Sequence, residues 1–205
     1  MTRAPEGPDE SVSDQLERWL TGDQPKTLDS LLEVFGPGSF GLLFVVLLAP
    51  AALPLPTGGA THVLEAIAML VALQLIAGRR DVWLPERWNG RDLAGGRSER
   101  FVRGLVRQLR RVERFSRPRW RWLFRLPLCR RAFGLAVLGF TLAAFLAPPF
   151  SGLDTLPAIG VVLISIGMLT EDAFFALAGL VAGVVGIMAA LFLGSLVINA
   201  LHMLF

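Results

Sequence analysis

Two ionisable side chains interrupt an apolar run. His62 and Glu65 lie three residues apart, so a helix would carry them on one face. A charge at mid-bilayer costs ~2.5–3.5 kcal/mol on insertion scales, so a pair kept there is a candidate for work. Glu65 could carry a proton or a cation, with His62 as its relay. The plainer reading puts both within a turn or two of the interface, where they reach water. A second candidate lies in two turns. Pro54-Leu55-Pro56-Thr57-Gly58-Gly59 and Pro148-Pro149-Phe150-Ser151-Gly152 each end one apolar run and precede another. Thr57, Gly58 and Thr61 in the first half, and Ser151, Gly152, Asp154 and Thr155 in the second, then sit at helix starts, with Asp154 placed as an N-cap. If the tips lie at depth, two helix N-termini converge, and their free N–H groups favour an anionic substrate. Ordinary surface turns account for the same residues.

A third group is basic. Arg103, Arg107, Arg110, Arg111 and Arg114 fill the polar side of a helix expected over about 98–115. Phe101, Val102, Leu105, Val106, Leu109 and Val112 form its apolar face. A basic amphipathic helix beside membrane segments reads as an interfacial helix that binds anionic lipid headgroups. Clustered cations also suit nucleic acid, but the apolar face and the membrane neighbours speak against it. Glu171 and Asp172 read as a second acidic site or as a plain turn. No HExxH, GxSxG, paired CxxC or Walker loop occurs. Two histidines and one cysteine, far apart, offer no metal cluster and no nucleophile–base pair. The expectation is a protein that is not an enzyme and has no cofactor and no metal.

The elements that must position these groups follow from composition. The chain has 205 residues, is 53% hydrophobic and has a mean hydropathy of +0.55, too apolar for an ordinary soluble domain. Seventeen of the twenty basic residues lie between Arg79 and Arg131, and all seventeen are arginine. By the positive-inside rule this arm is cytoplasmic and the protein a multi-pass one of the bacterial inner membrane. The lone Cys129 sits beside Arg130 and Arg131 and makes no internal disulfide. Trp83, Trp88, Trp120 and Trp122 flank the arm as interface anchors.

Residues 1–26 read as an acidic, disordered tail with a short helix around Val12 to Leu20, and no signal peptide. Thr27 to Phe35 reads as a surface helix, with Thr27 and Ser30 a weak cap. Ser39 to Leu53 and Ala60 to Ala77 are either two crossings or one re-entrant hairpin. Ala132 to Ala147 and Thr155 to Leu169 repeat that pattern. Phe40-Gly41-Leu42 matches Phe133-Gly134-Leu135, and, with one inserted residue, Pro54, Gly58 and Thr61 match Pro148, Gly152 and Thr155. The fold expected is all-α and polytopic, with two related proline-broken hairpins. Repeat 1 is 27–78, the basic arm 79–131 and repeat 2 132–205. Ala173 to Phe205 is one long helix or two broken near Gly194-Ser195. Gly179 and Gly183 form a GxxxG that would let a homodimer pack closely.

Pro-Leu-Pro at 54–56, Leu-Gln-Leu-Ile-Ala-Gly-Arg at 73–79, Trp83-Leu84-Pro85 and Asp154-Thr155-Leu156-Pro157-Ala158 occur in this order around the arginine-rich arm. Together they resemble the ExoD family of bacterial exopolysaccharide-synthesis membrane proteins, over roughly Thr27 to Ala190. The resemblance implies an inner-membrane protein linked to exopolysaccharide production. It supplies no catalytic residue. Glu65 departs from the family pattern after the first Pro-Leu-Pro, so the resemblance implies no role for it. Two functions fit. One is a small transporter or lipid-handling protein with an anion site at the converging breaks. The other is a membrane scaffold that recruits or regulates polysaccharide-synthesis proteins through its Arg/Trp arm.

Overall fold

The computed structural model describes residues 11–53, 60–85, 96–116, 120–147 and 152–204. Among the described residues the fold is all-α, with nine α-helices. Each boundary has a local cause. Helix α1 (Val12–Thr21) starts at Ser11, whose hydroxyl accepts from the Asp14 N–H. Helix α2 (Leu28–Phe35) starts at a full capping box, in which Thr27 and Ser30 each accept from the other's backbone N–H. The cap is therefore stronger than the sequence suggests, because the Ser30 hydroxyl takes the part usually played by Glu or Gln. Gly36, at φ 45°, turns the chain into α3 (Ser39–Leu48). Then come α4 (Ala60–Ile76), α5 (Gly96–Glu113) and the short α6 (Arg121–Arg125). Helix α7 (Pro127–Leu146) opens on a proline, whose missing N–H costs nothing at that position.

Helix α8 (Thr155–Thr170) ends at Glu171 in the left-handed region. Asp172 then caps α9 (Ala173–Leu204). Its Oδ1 accepts from the Phe174 N–H at 3.0 Å and its Oδ2 from the Ser116 hydroxyl at 3.1 Å. Buried and engaged in this way, Asp172 is a structural cap, not a second acidic site. Helix α9 runs unbroken past Gly194-Ser195, so the last apolar stretch is one helix.

Helices α3, α4, α7 and α8 form a ring in which α3 packs on α4 and α8, and α7 on α4 and α8. Helix α9 lies along α8. A side chain added at Gly134 would strike Ile76, while Phe145, at the other end of α7, meets His62. Helices α4 and α7 are therefore antiparallel. Gly41 approaches the Ser165 carbonyl and Leu169, which makes α3 and α8 antiparallel too. The core is a stripe from each helix: Phe40, Phe44 and Leu48; Ala68, Val71 and Ala72; Phe133, Val137 and Phe140; Ala158, Val161 and Ile164.

The outer faces are also apolar. Leu70 and Leu73 on α4, Leu135 and Leu142 on α7, and Leu177, Val181, Met188 and Leu191 on α9 are exposed. Among the described residues two helices are long and apolar enough to cross a membrane, Pro127–Leu146 and Ala173–Ser195. Ser39–Leu48, Thr61–Ile76 and Thr155–Thr170 are apolar but shorter. The prolines and glycines of the two expected breaks, 54–59 and 148–151, lie outside the described residues.

The polar segments dock on one end of this ring. Leu16 and Trp19 of α1 are buried with Leu31, Phe35, Leu42, Val45, Val106, Leu109, Ile166 and Leu169. Residues 12–21 are thus a packed helix and not part of a disordered tail. The reason is amphipathic spacing: Leu16 and Trp19 share one face, and the acidic residues take the other. Polar contacts add to the docking. The Ser13 N–H donates to Glu113 Oε1 at 2.9 Å, and Arg110 pairs with Glu17 and, at 3.6 Å, with Asp14.

Candidate functional site

Glu65 sits one turn after His62 on α4, facing the inside of the ring. Its side chain has no exposure, whereas that of His62 keeps 30%. His62 Nδ1 lies 3.1 Å from Glu65 Oε2. That is an ion-pair distance, but the angles fall short of a hydrogen bond, and no other described donor meets full geometry with either Glu65 oxygen. The interface reading, with both groups reaching water, fails for Glu65 for a simple reason. Its side chain is wholly buried, one and two turns before Ala68 and Ala72, where α4 packs on α7.

Three further residues join the pair. The hydroxyl of Thr61, itself buried, is near the Glu65 carboxyl. Asp154, from the start of α8, is close enough for its charge to act on Glu65. Phe145 of α7 covers His62, with ring centroids 5.2 Å apart. Thr141 lies one turn before Phe145 on the same face of α7, wholly buried, and its hydroxyl has no hydrogen-bond partner. The antiparallel register sets Thr141 at the level of Glu65 to Ala68 on α4. Sequence reasoning passed over Thr141 and Phe145. The legible signal was a lone hydroxyl in the apolar run from 132 to 147.

The turn-based candidates divide. Thr57, Gly58 and Ser151 lie outside the described residues. Gly152 is exposed with φ 69°. Asp154 holds the N-cap position of α8, but its backbone is already helical and its side chain makes no capping bond. The expected cap fails for local reasons. An N-cap needs an extended backbone, whereas Asp154 is at φ −71° and ψ −27°, and Pro157, the third helical residue, has no N–H, which leaves only that of Leu156 to accept from. Thr155 opens the helix without a capping role. The Asp154 carboxylate is left within electrostatic reach of Glu65. Two acids at one place repel an anion and attract a cation or proton. No three His, Cys, Asp or Glu side chains among the described residues are grouped to hold a metal ion.

The arginines form a separate site. Arg103, Arg107, Arg110, Arg111 and Arg114 line one groove of about 520 Å³ between α5 and α1, with Glu17, Leu20, Thr21 and Val106. Val106 and Leu109 turn inward, while Arg103, Arg107, Arg110, Arg111 and Arg114 are exposed. Gly179 and Gly183 are already in use. Within the chain they face Gly160 and Ile164 of α8 and Phe140 of α7. That surface is not open to a second copy, because only the absence of side chains lets α8 and α9 approach so closely.

Comparison with known proteins places these residues in a wider group. The family model described as "Exopolysaccharide synthesis, ExoD" matches residues 12–192. The chain is 29% identical over 170 residues to an uncharacterized protein of Synechocystis, covering 81% of this chain and 74% of that one. It is 29% identical over 172 residues to Protein ExoD of Rhizobium meliloti, covering 82% of this chain and 71% of the other. No solved structure matches.

Proposed function

This chain belongs to the ExoD family, and from that premise we propose that it is a membrane-spanning protein of exopolysaccharide production that moves a proton or small cation through Glu65. The carrying observation is the burial of that carboxyl, with His62 Nδ1 3.1 Å away and, among the described residues, no hydrogen bond to either oxygen. A carboxyl group shut among apolar helices keeps its charge only with a cation beside it, and otherwise holds a proton. Such a group is costly to keep and useful only if it exchanges what it holds. His62, half out and half in, is the relay between the surroundings and Glu65. Asp154 and Thr61 complete a polar end to the ring.

The substrate coupled to this exchange is read as anionic, bound near the start of α8 while the acids carry their counter-ions. The protein is read as a multi-pass one of the bacterial inner membrane, with the 79–131 arm cytoplasmic and no catalytic reaction of its own. The two hairpins are read as an internal repeat. Reciprocal contacts support this: Gly41 meets the Ser165 carbonyl and Leu169, and Gly134 meets the Ala72 carbonyl and Ile76. One constant separation, that between Gly41 and Gly134, converts the first set into the second. A second copy, if one joins, packs through faces other than the glycine stripe. A scaffold that recruits polysaccharide-synthesis proteins is the second reading, favoured by exposed Trp83, Trp120 and Trp122 around the arm.

The test is proton or sodium flux into vesicles containing the purified protein, read with internal dyes. Wild type is expected to exchange one of these ions, and Glu65→Gln to lose at least about tenfold of the rate, as expected for a positioned proton carrier. Equal rates in the two proteins sink the reading. If neither ion moves in wild type, while loss of the arm's tryptophans abolishes exopolysaccharide in cells, the scaffold takes its place.

A further inference from the structure

We propose that the groove between α1 and α5 is a binding site for the phosphate headgroup of an anionic membrane lipid, held by Arg107, Arg111 and Arg114. This inference does not rest on the reading of Glu65. The three arginines are spaced four and three residues apart, so they form one stripe on α5. Among the described residues none of them has a carboxylate partner, whereas Arg110 in the same groove is paired with Glu17 and Asp14. Like charges at this spacing weaken a helix by ~0.2–0.5 kcal/mol per pair, a cost that an anion bridging them removes. Guanidinium groups suit phosphate because their planar fork gives two parallel N–H donors to two oxygens.

The size and setting of the groove favour a lipid over a free ion. Its volume of about 520 Å³ lies in the range of ~300–1,000 Å³ typical of small-molecule sites and far exceeds one phosphate. Leu20 and Val106 add apolar wall. Arg114 is two residues before Ser116, whose hydroxyl holds Asp172 at the start of α9. The Arg114 end of the groove is therefore near the start of α9, whose exposed apolar residues begin with Phe174 and Leu177. Headgroup phosphates lie at that level when such a face meets acyl chains. Glu17, already on Arg110, is an internal anion at the rim and a competitor for the incoming phosphate.

The experiment uses the full chain purified in a neutral detergent. Binding of dioctanoyl phosphatidate, dioctanoyl phosphatidylcholine and inorganic pyrophosphate is measured by calorimetry. Phosphatidate is expected to bind at least tenfold more tightly than the other two. R107A/R111A/R114A is expected to lose that preference, and Glu17→Gln to strengthen it. The triple variant removes no intramolecular pair, so it should fold; its circular dichroism and Glu65-dependent flux check that it does. Glu65→Gln should bind phosphatidate normally, which separates the two proposals. Unchanged phosphatidate binding in the triple variant overturns the site. Pyrophosphate binding as tightly as phosphatidate overturns the lipid assignment in favour of a soluble phosphate ligand.

Discussion

Helix α3 and the turn after it bury Phe40, Phe44, Leu47, Leu48 and Ala51, and α7 buries Phe133, Val137, Phe140, Thr141 and Ala144. The same spacing runs through both lists. It continues in the second helices, where Glu65, Ala68 and Val71 of α4 stand as Ala158, Val161 and Ile164 stand in α8. Against this shared pattern the departures are few and chemical. At the separation between Gly41 and Gly134, Glu65 answers to Ala158, Thr141 to Leu48, and His62, in place of the expected Thr61, to Thr155. All three lie on the interface between α4 and α7, not on that between α3 and α8. Helices α3 and α8 also bury polar side chains, Ser39 and Ser165, but the Ser165 hydroxyl is satisfied by the Val161 carbonyl at 2.7 Å, whereas among the described residues the carboxyl, imidazole Nδ1 and hydroxyl of the α4–α7 pair have no hydrogen-bond partner. A packing need would act on both alike, so the difference points to chemistry.

The sharpest way to break the comparison is to make the two pairs alike. Glu65→Leu is expected to abolish ion exchange, while stability measured by thermal unfolding in detergent rises by roughly 1–3 kcal/mol as an unmatched buried polar group is removed. A fall in stability with exchange retained would make Glu65 a structural residue. Next in size are the glycines at the crossings. Gly41→Ala is expected to cost ~1–3 kcal/mol, because its new methyl lies 2.9 Å from the Ser165 carbonyl, which is backbone and does not yield. Gly134→Ala should cost somewhat less, since the backbone atom nearest its new methyl, the Ile76 nitrogen, lies at 3.2 Å, with the Ile76 Cγ1 at 2.9 Å. Equal costs would show that the two crossings are equally rigid. The smallest effect is at Thr141. Thr141→Val keeps the shape and deletes an unpartnered hydroxyl, so a gain of about 1 kcal/mol is expected in the same melting experiment. A loss instead would show that the hydroxyl has a partner in the membrane.

Much of the fold was legible in the chain. Continuous apolar runs, a segregated block of arginines and turn residues between runs specify membrane-associated helices and their order, because a bilayer tolerates little else. The helix expected over about 98–115 appears as Gly96–Glu113, and the pairing of His62 with Glu65 follows from helical spacing alone. Local spacing, however, says which residues share a face, not what covers that face. Whether Glu65 faced lipid, water or protein depended on its packing against α7, a helix far along the chain.

The same holds for the remaining surprises. Asp154 failed as a cap for local reasons, its helical backbone and the missing N–H of Pro157, but its approach to Glu65 depends on how the chain folds. The acidic N-terminal segment looked like a tail because charge dominates its composition, and it packs because α5 offers a complementary apolar and basic face. The Gly179–Gly183 motif announced a close approach without saying to whom, since glycines permit contact and do not choose a partner. The sequence by itself determined the helices, their polarity and the one carboxyl out of place. Only the tertiary structure decided that this carboxyl is sealed, which side chains stand around it, and that five arginines share one groove with an acidic helix. The physical reason is range. Helix and turn formation rest on neighbours in sequence, whereas burial and electrostatic company rest on segments the chain brings together only by folding.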